Sequence, residues 1–243
     1  MILYDMHCHL DLMPRMKNII QESLKEELGI LAVTTTPKAY KKEIEYCKDN
    51  RNIKVALGLH PQLVKDRYDE LSIIINNICN AKYIGEIGLD FNKQYYASKE
   101  KQIEVFSEII RMCSELGERI ISIHSVKSAE YVLNILETFN TTRNNRCILH
   151  WFTGTEKQLI KAIELGCYFS VNKKMLDTER GRGVIRMIPK NKLLVETDAP
   201  FIQEITFGRD IYEELYQTIN IISKLREEDL FKTIEENSQK IFR

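Results

Sequence analysis

The amino-acid sequence predicts an α/β protein built as a single (β/α)8 barrel of the TIM type. Short β-rich runs alternate with longer helical patterns from one end of the chain to the other. Eight such runs are present, which is the number of strands that closes a barrel of this kind. The length of 243 residues is close to the ~250 residues typical of that architecture. We therefore expect one barrel domain over residues 1–243.

The predicted strands are short apolar segments that follow turn or polar residues. They are expected at residues 2–6, 30–35, 53–59, 83–89, 119–123, 146–150, 167–171 and 192–197. Because alternating β and α segments form parallel sheets with right-handed crossovers, the strands should all run in one direction. An open doubly wound sheet is the alternative architecture, and the count of eight strands argues against it.

Each of the first seven strands is followed by a segment in which apolar residues recur with helical spacing. Helices are expected at residues 15–28, 38–49, 62–79, 98–116, 128–140, 155–165 and 179–188, and a longer helical tail at 210–242. In the segment 98–116, for example, Ile103, Phe106, Ile109 and Ile110 fall on one face. No linker, low-complexity tract or shift in composition indicates a second domain.

Composition excludes several classes of protein. Lys and Arg together number 35, as do Asp and Glu, so the net charge is zero and no global basic field attracts nucleic acid. The six cysteines are widely spaced, without a C-x-x-C pair, and we expect reduced thiols in a cytoplasmic protein. The sequence has no apolar run of ~18 residues and no secretory leader pattern, so neither membrane spanning nor secretion is expected.

Histidines and acidic residues collect at the C-terminal ends of the predicted strands. The histidines of the chain all lie there, namely His7, His9, His60, His124 and His150. Glu86 and Asp198 end two further strands. In a barrel these strand ends meet at one face, which is where the active sites of this architecture lie. Imidazoles and carboxylates that converge at such a face are typical of metal ligands.

Strand alternation supports this interpretation, because residues two apart point to the same side. The ligands we expect for two divalent ions are His7, His9, Glu86, His124, His150 and Asp198. Glu86 can bridge both ions, and Asp198 can complete the first site and accept a proton from a metal-activated water. Two ions ~3.5–4 Å apart lower the pKa of water and clamp the attacking and leaving oxygens of a phosphoryl group.

Other residues near these ligands have more than one interpretation. His60 is a candidate catalytic residue that steadies the substrate, but it precedes Pro61 and can instead shape a turn. We expect Asp5 and Asp90 to support the ligands rather than to bind metal. Glu196 fits a supporting or substrate role and a hydrogen-bonded structural role equally well.

Several short segments, taken together, resemble the TatD family of metal-dependent deoxyribonucleases. They are DMHCHLD (5–11), GLHP (58–61), IGEIGLD (84–90), IHS (123–125), LHWFTG (149–154), ETDAPF (196–201) and ENSQKIF (236–242). The resemblance spans essentially the whole chain. It implies a TIM-type barrel, 3′–5′ exonucleolytic hydrolysis of DNA, with single strands or DNA ends as the substrate, and metal binding by the ligand set above. It also implies that His60 lies near the substrate phosphate.

A narrower resemblance concerns the segments AVTTTPKAY (32–40), LHWFTG (149–154) and GCYFSVNKKML (166–176) and the GRG run at 181–183. These are similar to the TatD-like nuclease of Qat anti-phage defence systems. That similarity implies an antiviral role and partner proteins, including an ATPase and a QueC-like enzyme.

The chain departs from the family pattern at two places that concern substrate binding. Val126 stands where many members carry an Arg, with Lys127 adjacent to it. The Arg-containing segment after ETDAPF is shortened to QEITFGRD (203–210), which leaves Arg209 as a substitute. The basic residues that we expect to meet substrate phosphates are Lys38, Lys93, Lys127, Lys173 and Arg209.

The sequence leaves alternatives open for the identity of the metal ions and for the class of reaction. Imidazole-rich sites suit Zn²⁺ as isolated, whereas phosphate chemistry commonly uses Mg²⁺ or Mn²⁺. A metal-dependent amidohydrolase or a D-aminoacyl-tRNA deacylase would share much of the ligand set. Amidohydrolases often use a carboxylated Lys on strand four, where this chain has Glu86, and Lys82 precedes that strand. A third hypothesis is a metal-loaded component of a defence complex, which the shortened segment after Phe201 motivates.

Overall fold

A computed structural model describes residues 1–202 and 205–242, and the chain forms two compact units. The first unit comprises Met1–Ala32, Lys41–Val55 and Phe169–Arg243. The second unit comprises Val33–Tyr40 and Ala56–Tyr168. The organisation of residues 1–243 as one domain stays a prediction.

All eight predicted strands have a counterpart in the structure. They are β1 (Leu3–Cys8), β2 (Leu28–Val33), β3 (Ile53–Ala56), β4 (Tyr83–Asp90), β5 (Ile120–Val126), β6 (Arg146–His150), β7 (Tyr168–Val171) and β8 (Leu193–Val195). Strands β2 and β4 are buried along their whole length. Such burial on both faces is characteristic of parallel strands that are covered on each side.

In the first unit, parallel pairing aligns the ends of the strands that carry the predicted ligands. Strand β1 pairs with β2, with Asp5 opposite Ile30, and β7 pairs with β8, with Val171 opposite Val195. Beyond β8 the chain runs beside β1. The amide of Asp198 donates to the carbonyl of His7 over 3.0 Å, and the amide of His9 donates to the carbonyl of Ala199 over 2.9 Å. These bonds bring the end of β1 beside the segment that follows β8.

In the second unit, β4, β5 and β6 run parallel, and Gly88 on β4 lies opposite His124 on β5. The β4–β5 register shifts between Ile84 and Ile87. At this shift Gly85 has a φ of 150°, and its carbonyl accepts from the Thr34 amide over 3.1 Å. A local irregularity of this kind re-aims a side chain, and the side chain that follows Gly85 is that of Glu86.

The helices follow the strands as predicted, with three differences. The α-helices are α1 (Met16–Lys25), α2 (Pro37–Cys47), α3 (Val64–Arg67), α4 (Leu71–Asn77), α5 (Lys99–Leu116), α6 (Ala129–Thr138), α7 (Glu156–Glu164), α8 (Lys173–Leu176), α9 (Glu179–Met187), α10 (Gly208–Arg226) and α11 (Phe231–Phe242). In α5, Phe106, Ile109 and Ile110 of the predicted apolar face are buried, whereas Ile103 is half-buried. Burial of each such side chain contributes roughly 1.5–3 kcal/mol.

The prediction of one helix over residues 62–79 is wrong, because the segment breaks into α3, α4 and short 3-10 turns. A turn at Tyr68–Glu70 coincides with the burial of Glu70, whose carboxylate accepts from Lys38 and Arg67, each at 2.8 Å. A continuous amphipathic pattern does not reveal this buried ion cluster.

The two other differences concern helix ends. The tail predicted at 210–242 is two helices, because α10 ends at Arg226, the residue after it, Glu227, has a φ of 53°, and the chain then buries Leu230 completely. The short helix α8 was not predicted, and it begins where the side chain of Asn172 accepts from the amide of Met175 over 3.2 Å. Among the described residues, no helix is both long enough and apolar enough to cross a membrane.

Candidate metal centre

Two clusters of ligand-type side chains lie at the C-terminal ends of the strands, each within one unit. The first cluster consists of His7, His9 and Asp198, and the second cluster of His60, Glu86 and His124. In each cluster the ligand atoms lie within 4.8 Å of one another. The structure therefore brings together, cluster by cluster, six of the residues that sequence reasoning selected.

The first cluster combines two imidazoles with one carboxylate. The Nε2 atoms of His7 and His9 are 3.3 Å apart. Asp198 Oδ1 lies 3.7 Å from the first of these nitrogens and 3.6 Å from the second. All three side chains are buried. Two imidazole nitrogens and a carboxylate oxygen that face one another in this way form a suitable donor set for a divalent ion.

Asp5 supports the first cluster through hydrogen bonds with His7 and Thr197. Its Oδ1 accepts from the amides of His7 at 3.2 Å and Thr197 at 3.0 Å, and its Oδ2 accepts from the Thr197 hydroxyl. Burial raises the pKa of Asp5 to about 7, although these hydrogen bonds act in the opposite direction. Asp5 thus joins β1 to the segment after β8, and Thr197 is a partner that the sequence analysis did not identify.

The second cluster is organised around the buried carboxylate of Glu86. Its Oε1 lies 2.7 Å from His124 Nδ1 and 2.9 Å from His150 Nε2, and its Oε2 lies 3.3 Å from His60 Nε2. Three imidazoles of the second unit therefore meet one carboxylate. His150, which the sequence analysis also selected as a ligand, lies beside this cluster, with Nε2 3.3 Å from His124 Nδ1.

Asp90 and Gln62 occupy the other side of His124. Asp90 Oδ2 lies 3.1 Å from His124 Nε2 and accepts from Gln62 Nε2 over 2.7 Å. Burial alone would raise the pKa of Asp90, but its bonds with His124 and Gln62 lower it below the ordinary value. For His124 burial lowers the pKa, and the bonds with Asp90 and Glu86 outweigh that effect and raise it. Gln62 was missed, although it stands two residues after His60.

His60 shapes a turn, which is one of the two interpretations considered for it, and its role toward the substrate stays a prediction. Its Nδ1 accepts from the amide of Gln62 over 3.2 Å, so the ring caps the turn that begins at Pro61. Its Nε2 faces Glu86 in the second cluster. The turn therefore fixes the orientation of the ring toward the carboxylate.

Glu196 is held by residues of β7 and of the following turn. Its Oε2 accepts from the Ser170 hydroxyl, and its Oε1 accepts from Asn172 Nδ2 over 2.8 Å. Neither partner was identified from the sequence. Polar residues at two alternate positions at the end of β7, which place both side chains on one face, were the available signal.

Three of the five basic residues selected for phosphate contact lie beside acidic side chains, and the other two are exposed beyond the ends of strands. Lys173 lies 3.3 Å from Glu214, and Arg209 lies 2.7 Å from Glu213. Lys38 meets Glu70, as described above. Lys93 and Lys127 are exposed beyond the ends of β4 and β5. Gln203 and Glu204 of the shortened segment lie outside the described residues.

Comparison with known proteins identifies the family. The signature of the family described as TatD related DNase matches residues 4–243. An uncharacterized metal-dependent hydrolase of Buchnera aphidicola subsp. Baizongia pistaciae is 28% identical over 93% of this chain and 89% of its own. The 3'-5' ssDNA/RNA exonuclease TatD of Pectobacterium atrosepticum is 27% identical over 76% of each chain.

The fold is shared with a solved structure of a TatD homologue from Escherichia coli K12. The TM-score is 0.85 at 22% identity, and the alignment covers 99% of this chain and 97% of the other. The predicted (β/α)8 barrel class is thereby confirmed, and so is the resemblance to the TatD family. The chain belongs to the TatD-related DNase family, and it is a metal-dependent hydrolase that acts on ester bonds.

Proposed function

We propose that this protein hydrolyses phosphodiester bonds of DNA and removes nucleotides from 3′ ends, with single strands as the preferred substrate. The observation that carries the proposal is the pair of histidine–carboxylate clusters at the C-terminal strand ends. The Pectobacterium relative is described as a 3'-5' ssDNA/RNA exonuclease, which supports the 3′–5′ polarity and the choice of single strands.

The proposal includes two divalent ions, one for each cluster, with Mg²⁺ or Mn²⁺ in activity and Zn²⁺ compatible with the isolated protein. The donor set fits this proposal, because imidazole nitrogens and carboxylate oxygens are present in both clusters. When bound, the ions would supply a nucleophile at neutral pH and stabilise charge on the phosphate oxygens. The ligands proposed for them are His7, His9, Glu86, His124, His150 and Asp198.

The side chains of the chain itself have distinct roles in this proposal. Asp198 accepts the proton of the attacking water, since its Oδ1 faces both imidazoles of the first cluster. Glu86 fixes the second cluster, since both of its oxygens face imidazole nitrogens. His60 orients the phosphate, and its backbone turn keeps the ring in place.

The decisive experiment replaces Glu86. Incubation of 3′-end-labelled single-stranded DNA with wild-type protein and Mg²⁺ or Mn²⁺ should release labelled nucleotides. Glu86→Gln keeps the size of the side chain but removes the charge that faces three imidazoles, so we expect a loss of rate of at least about 100-fold, the upper range for removal of a group that orients metal ligands. Glu156→Gln, at an exposed glutamate of α7, is the matched control and should keep wild-type activity.

The same assay separates the other hydrolytic reactions. Parallel incubations with D-aminoacyl-tRNA and with small amides should give no turnover above background. An absence of nucleotide release from DNA, even with stoichiometric protein and several metals, would contradict the proposal. Turnover of the tRNA ester or of an amide under those conditions would replace it.

A cytoplasmic, anti-phage role belongs to the same proposal. None of the six cysteines, all of which are among the described residues, is in a disulfide, and five of them are buried, which suits a reducing compartment. The segments similar to the Qat-associated nuclease support partnership with an ATPase and a QueC-like enzyme.

Purification of the tagged protein together with such partners should yield a stable complex, and Asp198→Asn should abolish protection against phage while leaving the complex intact. Full protection by this variant would assign the protein an assembly role.

A further inference from the structure

Three aromatic rings surround a lysine beyond the ends of β4 and β5. The Nζ atom of Lys99 lies 4.4 Å from the ring centroid of Tyr131, 5.2 Å from that of Phe91 and 5.5 Å from that of Tyr96. It also donates to the Tyr131 hydroxyl over 3.0 Å. Phe91 is buried beneath the others, whereas Tyr96 and Tyr131 are 53% and 43% exposed. We call these four residues the aromatic patch.

The aromatic patch begins one residue after Asp90, which contacts the second cluster. Phe91 follows Asp90, whose carboxylate contacts His124, and the amide of Phe91 donates to the carbonyl of Val126 over 3.0 Å. Gly88, three residues before Phe91, is the strand partner of His124. At about 3.3 Å per residue the patch begins roughly 10 Å along the strand from the backbone of His124. A polymeric substrate whose scissile bond lies at the second cluster would therefore be long enough to reach the aromatic patch.

The charge of the patch decides between two kinds of ligand. Aromatic cages often bind cationic ligands, but the ammonium group of Lys99 already lies among these rings. Two further exposed lysines, Lys93 and Lys127, lie beyond the ends of β4 and β5. Two exposed acids, Glu100 and Glu130, lie at the beginnings of α5 and α6 and offset part of this positive charge. Among Lys93, Lys99, Lys127, Glu100 and Glu130 the lysines exceed the acids by one, which disfavours a cation and favours an anionic polymer with flat apolar groups.

From this arrangement we propose that the aromatic patch is a binding subsite for single-stranded nucleic acid. A base next to the cleaved nucleotide stacks on Tyr96 and Tyr131, and Lys99 meets its phosphate. Exposed rings beside a positive charge are the combination by which proteins bind single strands without sequence preference. The inference rests on the proposed nuclease function and adds the path of the strand.

The test uses two substrates of different length. A p-nitrophenyl ester of thymidine 5′-monophosphate reaches only the metal centre, whereas a fluorescein-labelled oligothymidylate of twelve nucleotides also reaches the patch. Binding of the oligonucleotide is measured by fluorescence anisotropy, and hydrolysis of both substrates is measured with Mn²⁺. The variants are Tyr96→Ala, Tyr131→Ala and Lys99→Gln, whose folding is checked by thermal unfolding. Tyr216→Ala is the control, because that tyrosine is 46% exposed but lies on α10.

Each tyrosine variant should weaken oligonucleotide binding by about 5- to 150-fold, the range that stacking of one base gives. Lys99→Gln should reduce the dependence of binding on salt, because one phosphate contact is lost. The control should bind like the wild type, and kcat/KM for the small ester should stay unchanged in all variants. Wild-type affinity in both tyrosine variants, or no measurable binding by the wild type, would overturn the subsite. Weaker binding by the tyrosine variants of a protein that hydrolyses neither substrate would uphold the subsite and refute the nuclease function.

Discussion

Glu43 on α2 provides a quantitative test of how burial acts on a carboxylate beside the first cluster. The side chain is 2% exposed, and neither carboxylate oxygen has a hydrogen-bond partner among the described residues. Burial, with a further contribution from Asp11, raises the pKa of Glu43 from 4.5 to about 8, while His9 has a smaller effect in the opposite direction. The folded protein therefore holds this proton over a pH range in which the unfolded chain has released it.

This difference fixes the sign of the effect of pH on stability. Between the unfolded pKa of 4.5 and the folded pKa of about 8, the native state binds one more proton, so the free energy of unfolding falls as pH rises. The loss approaches about 1.4 kcal/mol per pH unit in the middle of this range. Between pH 5.5 and 7.5 the two pKa values give a loss of roughly 2.5 kcal/mol that is due to Glu43 alone.

Glu43→Gln isolates this contribution, because the amide has nearly the same shape and does not titrate. The free energy of unfolding in urea should be measured at several pH values from 5.5 to 7.5, with chelator present so that no ion lies near His9. We expect the variant to gain roughly 2.5 kcal/mol relative to the wild type across this interval. Glu45→Gln, at an exposed glutamate of the same helix, is the control and should show a difference that does not change with pH. A constant difference for Glu43→Gln as well would refute the reasoning.

Three further predictions concern the metal centre. Asn172→Ala should lower the free energy of unfolding by about 1–3 kcal/mol, because the buried Glu196 Oε1 loses a donor at 2.8 Å; urea unfolding measures this, and an unchanged midpoint would contradict it. Gln62→Ala removes a donor to Asp90 Oδ2, the oxygen that also contacts His124 Nε2, and should weaken metal binding by about 10- to 100-fold, as measured by titration calorimetry with Mn²⁺; wild-type affinity would show that Gln62 does not position Asp90. Addition of Mn²⁺ to chelator-treated protein should stabilise it by about 2.7 kcal/mol at a hundred times Kd. Asp198→Asn should diminish the resulting rise in melting temperature, and an equal rise in both proteins would remove Asp198 from the ligand set.

The features that the sequence predicted well depend on local periodicity. A ligand-type residue at the end of a buried strand, such as His124, can be located from the strand alone, because strand ends share one edge of a parallel sheet. Alternation likewise placed His7 and His9 on one face of β1. The strands themselves were located because each is a short apolar run between helical patterns.

The features that it predicted poorly depend on contacts between distant residues. His60 meets Glu86 within the stretch of β4 where the register shifts, between Ile84 and Ile87, and no local pattern in β4 reveals that contact or that shift. The lysines selected for phosphate contact were chosen by position alone. No local pattern predicts that Lys173 lies beside Glu214, which is 41 residues away in the sequence, and its contact with a phosphate stays a prediction. Side-chain partners at such separations are set by tertiary packing, which is also why the break at Tyr68–Glu70 was not predicted.

The two ligand clusters differ in how much of the chain must be synthesised before they can form. Glu86 and His124 of the second cluster are separated by 38 residues. Asp5 and Thr197, which hold the first cluster together, are separated by 192 residues. A ribosome that has released the first two-thirds of the polypeptide has therefore delivered every ligand of one cluster but not Asp198 of the other. The first cluster can form only after the last strand has been synthesised, because Asp198 follows β8. Metal binding by the first cluster would therefore show that translation has passed β8. Metal binding by the second cluster could occur earlier, on the nascent chain.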